Sequence, residues 1–326
     1  MRVLKGGTQN IIVQFARGDR DYVLRRPPTH LRDNSNATML REARILKALS
    51  TTSIPHARFI ALCEDETVLG CVFYLMEPVE GFNPASDMPP FHAGSPAVRH
   101  RMGLALVEGI AALGALEFAA LGLADFGRPD NFLERQTSRW KSQLQSYAAQ
   151  AGWPGIANLP DVEKIEAWLT ENRPVTFQPG IMHGDFHLAN VMYRHDSAEL
   201  AAIVDWELVT IGDPLVDLGW LLATWAQDED GGEAIVSVQP WRGFPSASEL
   251  VDHYRQCTGR SLDDVDWYAI FACYKLAILL EGTYARACSG QAAMDVGLRL
   301  HARSVMLLDR AHKWIAAARH GREVVV

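Results

Sequence analysis

The sequence predicts an α+β fold of two lobes: a small N-terminal lobe with an antiparallel sheet and one helix, and a larger, mainly helical C-terminal lobe. The first observation is the length of 326 residues, which with 48% hydrophobic and 21% charged residues suits two lobes that each have a core. The second is that strand-like segments concentrate before residue 77, and the third is that helical apolar spacing dominates beyond residue 96. We place the boundary at Glu77-Pro78-Val79-Glu80-Gly81, which gives lobes of residues 1–77 and 78–326.

The N-terminal lobe is predicted as two pairs of strands around one helix. The first two strands flank the polar turn Arg17-Gly18-Asp19-Arg20-Asp21 and therefore indicate a hairpin. Apolar residues at spacings of three and four predict the helix over residues 38–49. An acidic turn, Glu64-Asp65-Glu66, separates the second pair of strands. The predicted strands cover residues 10–16, 22–25, 58–63 and 68–76.

The C-terminal lobe is predicted as helices interrupted by a short β-like region. Residues 267–280 are strongly apolar and predict a buried helix. The other helices are predicted over residues 97–121, 134–149 and 162–171 and again from Leu215 onwards. The short strands are predicted over residues 180–183, 191–193 and 200–204.

Composition excludes several classes of partner. The formal net charge is −8, from 31 basic and 39 acidic residues, and no basic block indicates binding to nucleic acid or to an anionic membrane. The five cysteines are odd in number, lack a CxxC pair and lie in apolar stretches, which favours reduced thiols in the cytosol. The longest apolar stretch, residues 109–124, is interrupted by Glu117 and is too short to span a bilayer. We therefore expect a soluble, cytoplasmic protein without a signal peptide.

The most polar motif is His183-Gly184-Asp185-Phe186-His187-Leu188-Ala189-Asn190, set between apolar segments. Phosphoryl transfer requires an oriented hydroxyl group and a neutralised triphosphate rather than covalent chemistry by the protein. Asp185 can accept or align the hydroxyl proton, and Asn190 can place its amide oxygen on a magnesium ion. Taken alone, Asp and Asn here could equally build a turn.

A second acidic motif makes the magnesium interpretation stronger. Asp205 ends the apolar segment Ile203-Val204 shortly after the first motif. Magnesium prefers one or two carboxylates together with phosphate oxygens, so this aspartate is suited to bridge metal and phosphates. Glu207 is either a second ligand or a solvated, helix-capping residue. Asp213 and Asp217 are predicted to form turns and to hold the catalytic loop.

The N-terminal lobe offers candidates for nucleotide binding. Gly6 and Gly7, with Asn10, precede a strand, where backbone N–H groups could approach phosphates. Arg25 at the end of the second strand is a candidate for contacting phosphates, and Glu42 on the following helix could pair with it. Each of these residues alone could instead be an ordinary turn or a surface charge.

The motifs together resemble the aminoglycoside phosphotransferase/choline kinase superfamily of protein-kinase-like enzymes. The resemblance is carried by His183-Gly-Asp185-x4-Asn190, then Asp205-Trp206-Glu207, then Gly212-Asp213-Pro214-x2-Asp217-Leu218-Gly219. Three further stretches are similar to the phosphotransferase-like domains associated with acyl-CoA dehydrogenases. These are residues 22–28, residues 122–129 leading to 134–140, and residues 281–286. The likeness covers nearly the whole chain and implies a protein-kinase-like, two-lobe fold.

The resemblance also implies an activity and a set of roles. It implies Mg2+-assisted transfer of phosphate from ATP or GTP to a hydroxyl group. In this family pattern Asp185, within the His183-Gly184-Asp185 centre, is the catalytic base, and Asn190 and Asp205 bind magnesium. Arg25 and Glu42 would form the phosphate-orienting pair. Arg25 stands where many relatives carry lysine, which replaces a point donor with a planar fork. The hinge of residues 76–79, including Glu77 and Val79, would contact the nucleotide base.

The phosphate acceptor remains open at this point. An aminoglycoside, being a polycation, would require an acidic pocket, which residues 228–230 or 263–266 could supply. The likeness to the dehydrogenase-associated domains favours a metabolic hydroxy compound such as a hydroxyacyl thioester, with a functional link to acyl-CoA dehydrogenases.

Three other functions compete with a small-molecule kinase. A regulatory pseudokinase would lack a catalytic group, yet Asp185, Asn190 and Asp205 are all present. A protein kinase is disfavoured because the eleven residues between Asp205 and Asp217 leave little chain for a polypeptide-docking segment. A metal hydrolase could use His183, Asp185 and His187, but Gly184 indicates a loop rather than the helix that such spacing requires.

Overall fold

The computed structural model describes residues 1–4, 10–31 and 33–319. Its N-terminal part is a five-stranded antiparallel sheet in the order β1-β2-β3-β5-β4, with one long helix, α1, beside it. The strands are β1 (Arg2–Val3), β2 (Ile11–Arg17), β3 (Arg20–Arg26), β4 (Phe59–Cys63) and β5 (Phe73–Met76). The helices are α1 (Ser35–Leu49) and the single turn α2 (Glu66–Leu69). The β2–β3 hairpin predicted from the sequence is present, with Ile12 paired to Arg25.

The remainder of the chain is mainly helical and contains two small two-stranded sheets, β6 with β9 and β7 with β8. These four strands are β6 (Gly180–Met182), β7 (Val191–Tyr193), β8 (Leu200–Ile203) and β9 (Thr210–Gly212). The helices are α3 (Pro90–Ala93), α4 (Pro96–Gly114), α5 (Phe132–Ser146), α6 (Val162–Glu171), α7 (Leu215–Thr224), α8 (Ala247–Thr258), α9 (Val265–Cys288) and α10 (Met294–Arg319).

Helix α9 is the centre of the helical part. It packs against α7, α10, α5 and α6, and most of its residues are buried on every side. Burial all round explains why its sequence is continuously apolar rather than amphipathic. Helix α7 is likewise buried along its whole length and packs against α9 and α4. These two helices therefore form the support beneath the polar loops.

The α+β prediction, with a small antiparallel sheet and a larger helical part, is confirmed. The prediction of a continuous strand over residues 68–76 was wrong, because α2 ends at Leu69 and β5 begins at Phe73. Asp65 accepts a hydrogen bond from the backbone N–H of Thr67 at 2.9 Å and caps α2, and Gly70 then ends the turn with φ +75°. Within the described residues, no helix is long and apolar enough to cross a membrane.

Candidate active site

The loop between β6 and β7 (residues 183–190) carries the first polar motif and is held from below by α7. The buried carboxylate of Asp217 accepts hydrogen bonds from the backbone N–H groups of His183 at 2.6 Å and Gly184 at 2.8 Å. Burial raises the pKa of Asp217, whereas His183 and these backbone donors favour the charged form. This is the loop-holding contact that the sequence analysis predicted for Asp217.

Gly184 meets a steric requirement in this loop. Its φ is +88°, and a Cβ built on it would lie 2.5 Å from the backbone oxygen of Leu208. A side chain at this position would therefore be strained and would also collide with the neighbouring backbone. Because glycine has no side chain, the loop of residues 183–190 can approach closely the segment that follows Asp205.

Asp185 is surrounded by groups that favour its charged form. Asn190 donates from Nδ2 to the Asp185 carboxylate at 2.9 Å and to its backbone oxygen at 2.8 Å. His187 Nε2 lies 3.2 Å from the other carboxylate oxygen. Burial alone would raise the pKa of Asp185, but the hydrogen bond from His187 and the charges of His187, His183 and Lys275 together lower it. The residue is therefore kept as an acceptor.

His183 is fully buried, and its Nε2 lies 2.9 Å from the backbone oxygen of Val204. Its ring also lies beside the buried ring of Trp206, with centroids 5.0 Å apart. The imidazole thus connects the catalytic loop to the residue before Asp205. Within the described residues, no group of three or more His, Cys, Asp or Glu side chains could hold a metal ion.

Asp205 follows β8 and adopts the left-handed conformation, with φ +66°. Aspartate tolerates this region better than most residues, although the conformation is uncommon. One Asp205 oxygen accepts a hydrogen bond from Arg25 Nη2 at 2.8 Å. The backbone N–H of Val204 donates to the backbone oxygen of Asn190 at 2.9 Å, which connects the chain next to the two candidate magnesium ligands.

Arg25, Glu42 and Tyr74 form a buried network under the sheet. Arg25 Nε lies 2.7 Å from Glu42 Oε2 as an ion pair without hydrogen-bond alignment, and Arg25 Nη2 donates to Glu42 Oε1 at 3.2 Å. Tyr74 donates from its hydroxyl to Glu42 at 2.8 Å. Burial opposes the charge on Arg25, but Glu42 and Asp205 outweigh it and raise the pKa of the guanidinium. The structure thus brings together the predicted pair and connects it to Asp205.

The other predicted nucleotide contacts are less concentrated. Gly6 and Gly7 lie outside the described residues. Asn10 precedes β2 and lines a small cavity of about 240 Å³ together with Glu207 and Leu208. Glu77 directly follows β5; its backbone N–H donates to the Arg58 oxygen at 2.9 Å.

The Glu77 carboxylate points to exposed arginines, with Arg20 at 3.3 Å and Arg58 at 3.7 Å. Val79 lies two residues further along the same segment after β5. The Glu77 carboxylate is therefore engaged by these two arginines.

Lys275 is a site residue that the sequence analysis missed. It comes from the middle of α9, donates from Nζ to the Gly184 oxygen at 3.0 Å and lies 4.3 Å from the centroid of the Trp220 ring. Burial lowers the pKa of Lys275 to about 8, although Asp185 and Asp217 oppose the shift. The available signal was a single lysine inside a continuously apolar helix, since a buried lysine usually has a partner.

Asp213 is also buried, and it stabilises the start of α7 instead of the loop of residues 183–190. It accepts hydrogen bonds from the backbone N–H of Leu215 at 3.1 Å, from Arg260 at 3.0 Å and from the hydroxyl of Tyr268. These contacts fix the start of α7, and α7 in turn presents Asp217 to the loop. The turn-forming role predicted for Asp213 therefore extends to a connection with α9.

The fold and this loop arrangement define the class of kinase-like phosphotransferases. The chain belongs to the phosphotransferase enzyme family (APH), whose model matches residues 1–250. Acyl-CoA dehydrogenase family member 11 of Pongo abelii is 30% identical over 346 residues, a match that covers 99% of this chain and 43% of that protein. The chain therefore spans less than half the length of this relative.

Solved structures agree with this assignment. A crystal structure from Ralstonia eutropha JMP134, of a protein named as a candidate aminoglycoside phosphotransferase, is 30% identical with a TM-score of 0.77 and covers 96% of this chain and 92% of that one. The GDP complex of aminoglycoside 2′-phosphotransferase-IIIa is 17% identical with a TM-score of 0.60, covering 93% and 91%. The second likeness shows the fold alone.

Proposed function

We propose that the protein is a nucleotide-dependent, Mg2+-assisted phosphotransferase that acts on a hydroxyl group of a small molecule. The observation that carries the proposal is one continuous set of contacts. Asn190 donates to Asp185, the backbone oxygen of Asn190 accepts from Val204 directly before Asp205, and Asp205 accepts from Arg25. These are an acceptor for a hydroxyl proton, two oxygen ligands and a cation, which together meet the needs of phosphoryl transfer.

The residues divide the work as follows. Asp185, charged and fixed by Asn190 and His187, accepts the proton of the acceptor hydroxyl. The Asn190 Nδ2 group is used by Asp185, which leaves Oδ1 as a metal ligand beside the Asp205 carboxylate. A bound Mg2+ would neutralise phosphate charge there. Arg25 would contact phosphate oxygens, and His183 would hold the loop at the right distance from Asp205.

The phosphate donor, the class of acceptor and the cellular location are proposed from the likeness to known proteins. ATP or GTP is supported by family membership, and a solved structure of the same fold is a GDP complex. A hydroxyacyl thioester or related hydroxy compound is supported by the likeness to an acyl-CoA dehydrogenase family member. We further propose a functional link to acyl-CoA dehydrogenases and a cytoplasmic location. In the two acidic stretches that could serve an aminoglycoside, Asp228 accepts from the Asp230 backbone N–H, Asp230 from the exposed Arg242, and Asp263 from the hydroxyl of Ser261.

The experiment is a screen of nucleotide turnover against hydroxyacyl thioesters, choline, macrolides and aminoglycosides, repeated with Asp185→Asn. With the productive acceptor, we expect the variant to lose at least about a hundredfold in kcat, because positioned proton transfer contributes on that order. Nucleotide binding, measured by calorimetry, should change little, since Asp185 contacts the acceptor side.

Arg194→Gln is the control, because Arg194 is exposed and forms its salt bridge with the exposed Asp196. Equal turnover by Asp185→Asn would overturn the role of Asp185. Nucleotide binding without turnover on any acceptor would favour a regulatory, non-catalytic module, and turnover on aminoglycosides alone would overturn the metabolic acceptor.

A further inference from the structure

A second cleft, of about 830 Å³, lies between helix α5 and the segment of residues 207–211 that follows Asp205. Its size is within the range of small-molecule sites. Its floor is apolar and includes Phe126, Phe132 and Ile211. The stretches around residues 122–129 and 134–140, singled out in the sequence but given no part in phosphoryl transfer, form much of its wall.

The cleft is strongly basic in an otherwise acidic chain. Four arginines line it: Arg41, Arg128, Arg135 and Arg139. Within the part of the chain that the structure describes, none of the four forms a salt bridge. The two acids in the lining do not neutralise them, because Asp125 is paired with Arg44 outside this group, and Glu207 is a single charge. A cleft with this balance attracts anions.

Two of these guanidinium groups are held in place without losing their charge. Arg41 donates to the backbone oxygens of Phe126 at 3.0 Å and Val209 at 3.1 Å, and it lies 4.2 Å from the Phe126 ring centroid. Arg135 donates to the backbone oxygen of Arg128 at 2.7 Å. Carbonyl groups orient these side chains but leave the positive charge uncompensated. All four arginines are exposed, and these contacts restrict the orientation of two of them, which lowers the conformational entropy lost when an oxyanion binds.

One wall of the cleft lies directly against the loop of residues 183–190, because Leu208 approaches Gly184 through its backbone oxygen. The α5 side is linked to the same loop through buried side chains. Trp140 follows Arg139 in α5, and its ring centroid lies 5.6 Å from Lys275 Nζ, which donates to the Gly184 oxygen. The wall that includes Leu208 therefore joins the cleft to the loop that carries Asp185.

We propose that this arginine cleft binds the anionic part of the acceptor, a carboxylate or phosphate group, while the acceptor hydroxyl lies at Asp185. That the bound anion is part of the phosphate acceptor rests on the proposed function. Planar guanidinium groups match both oxyanions through paired N–H donors. It follows that polycationic acceptors such as aminoglycosides are repelled at this cleft.

The first test measures oxyanion binding without activity. The full chain, with an ATP analogue and magnesium present to fill the nucleotide site, is labelled with phenylglyoxal, and arginine modification is followed by peptide mass spectrometry. We expect inorganic phosphate, succinate or both to slow modification of Arg128 and Arg139 several-fold, with no change at Arg173, which is exposed and outside the cleft. If phosphate slows the modification and succinate does not, the cleft binds a phosphate group. If succinate slows it, the cleft binds a carboxylate. No slowing, or equal slowing at Arg173, overturns the proposal.

The second test uses the acceptor found in the screen. Arg128→Gln and Arg139→Gln should each raise the KM for that acceptor about tenfold, the size expected for one lost charge-assisted hydrogen bond, with kcat nearly unchanged. Arg173→Gln should leave both constants as they are. Anion protection with no phosphorylated acceptor would contradict the phosphotransferase function alone. Phosphorylation with unchanged KM in both cleft variants would contradict the cleft assignment alone.

Discussion

Arg25 serves two carboxylates of different character. Glu42 is buried beneath the sheet, whereas Asp205 is 38% exposed at the end of β8. A lysine would offer one point charge, but the guanidinium fork can hold Glu42 through one edge and reach Asp205 with Nη2. Arginine at this position therefore joins the sheet to Asp205, the proposed magnesium ligand.

Removing Arg25 should be costly. We expect Arg25→Met to lower the free energy of unfolding by about 3–5 kcal/mol, because Glu42 would remain as an uncompensated buried charge. The combined change Arg25→Met and Glu42→Met should recover much of that loss, since it removes both charges. Urea denaturation followed by circular dichroism measures the difference.

The exposed Arg20, paired with Glu77, provides the comparison: Arg20→Met should change the free energy of unfolding by no more than about 0.5 kcal/mol. A similar loss in both single variants would contradict the special role of the buried pair.

Lys275 contacts the loop of residues 183–190, and we expect it to act through that loop rather than on the reactants. Its ammonium group supports the Gly184 oxygen and adds positive charge near Asp185. Since burial lowers its pKa to about 8, the charged form is present below that pH and is lost above it. We expect kcat of the native enzyme to fall as the pH rises through about 8.

The variant Lys275→Met keeps the apolar stem but removes the charge. It should lower kcat about tenfold at pH 7, a loss of about 1.4 kcal/mol in transition-state stabilisation, and its rate should no longer fall near pH 8. A merely structural lysine would leave the pH profile of the variant unchanged in shape, so the profile decides between the two roles.

At the scale of elements, periodicity predicted the long helices well but not all their limits. Helix α9 extends over Val265–Cys288 rather than residues 267–280, because neighbouring helices bury its ends as well. Helix α4 stops at Gly114 instead of reaching residue 121. Gly180 of β6 crosses there so closely that a Cβ on it would lie 2.5 Å from the Gly114 oxygen. Such limits are set by partners distant in sequence, which periodicity does not report.

Helix α8 has a complete capping box at its start. Ser246 Oγ accepts from the Glu249 backbone N–H at 3.3 Å, and the Glu249 carboxylate accepts from the Ser246 backbone N–H at 2.8 Å. A hydrogen bond from His100, followed by those from Ser246, lowers the pKa of Glu249 to about 2. The carboxylate is therefore charged through most of the acid range and fixes where the helix begins.

Changing Glu249→Gln should lower the free energy of unfolding by about 0.5–1 kcal/mol at pH 6, the usual contribution of a cap. Because the folded pKa is lowered, this contribution is present above the ordinary glutamate pKa and disappears as the pH falls towards about 2. Thermal unfolding of both proteins across that range tests the sign. The exposed Glu171→Gln should show no comparable trend.

At the scale of the whole molecule, the sheet and the helical part are joined near the reaction centre. Ile203 of β8 donates from its backbone N–H to the Pro55 oxygen at 2.8 Å, and Arg41 of α1 donates from its side chain to the Val209 backbone oxygen at 3.1 Å. Arg25 to Asp205 is a third link. A ligand bound at Asp205 should therefore stabilise the molecule as a unit.

A nucleotide with Mg2+ at about 100 times its Kd should raise the free energy of unfolding by about 2.7 kcal/mol. Nucleotide in the presence of a chelator should stabilise less, and Asp205→Asn should remove most of the difference made by the metal. Thermal shift measurements with and without Mg2+ give the comparison. Equal magnesium dependence in the variant would place the ion elsewhere.

The site could be predicted from the sequence to the extent that its residues lie in short motifs. Asp185, Asn190 and Asp205 fall within one stretch of chain, and Asp217 shortly after it, so local patterns were sufficient. Lys275 reaches the same loop from 91 residues away in sequence, and no local pattern describes that contact. The arginine cleft likewise needs α1, α5 and the segment after Asp205 to be assembled before its charge becomes visible.

The tight approach of Gly184 to Leu208 has a consequence for how such an enzyme can acquire new substrates. One wall of the cleft is fixed twice, by that backbone contact and by the pairing of β9 with β6. The opposite wall is a face of α5 with exposed side chains at Ser138, Arg139 and Ser142. If the cleft holds the acceptor as proposed, substitutions along α5 would change which acceptors bind while the backbone contact on the other wall stays the same, so that the two halves of the cleft could evolve at different rates.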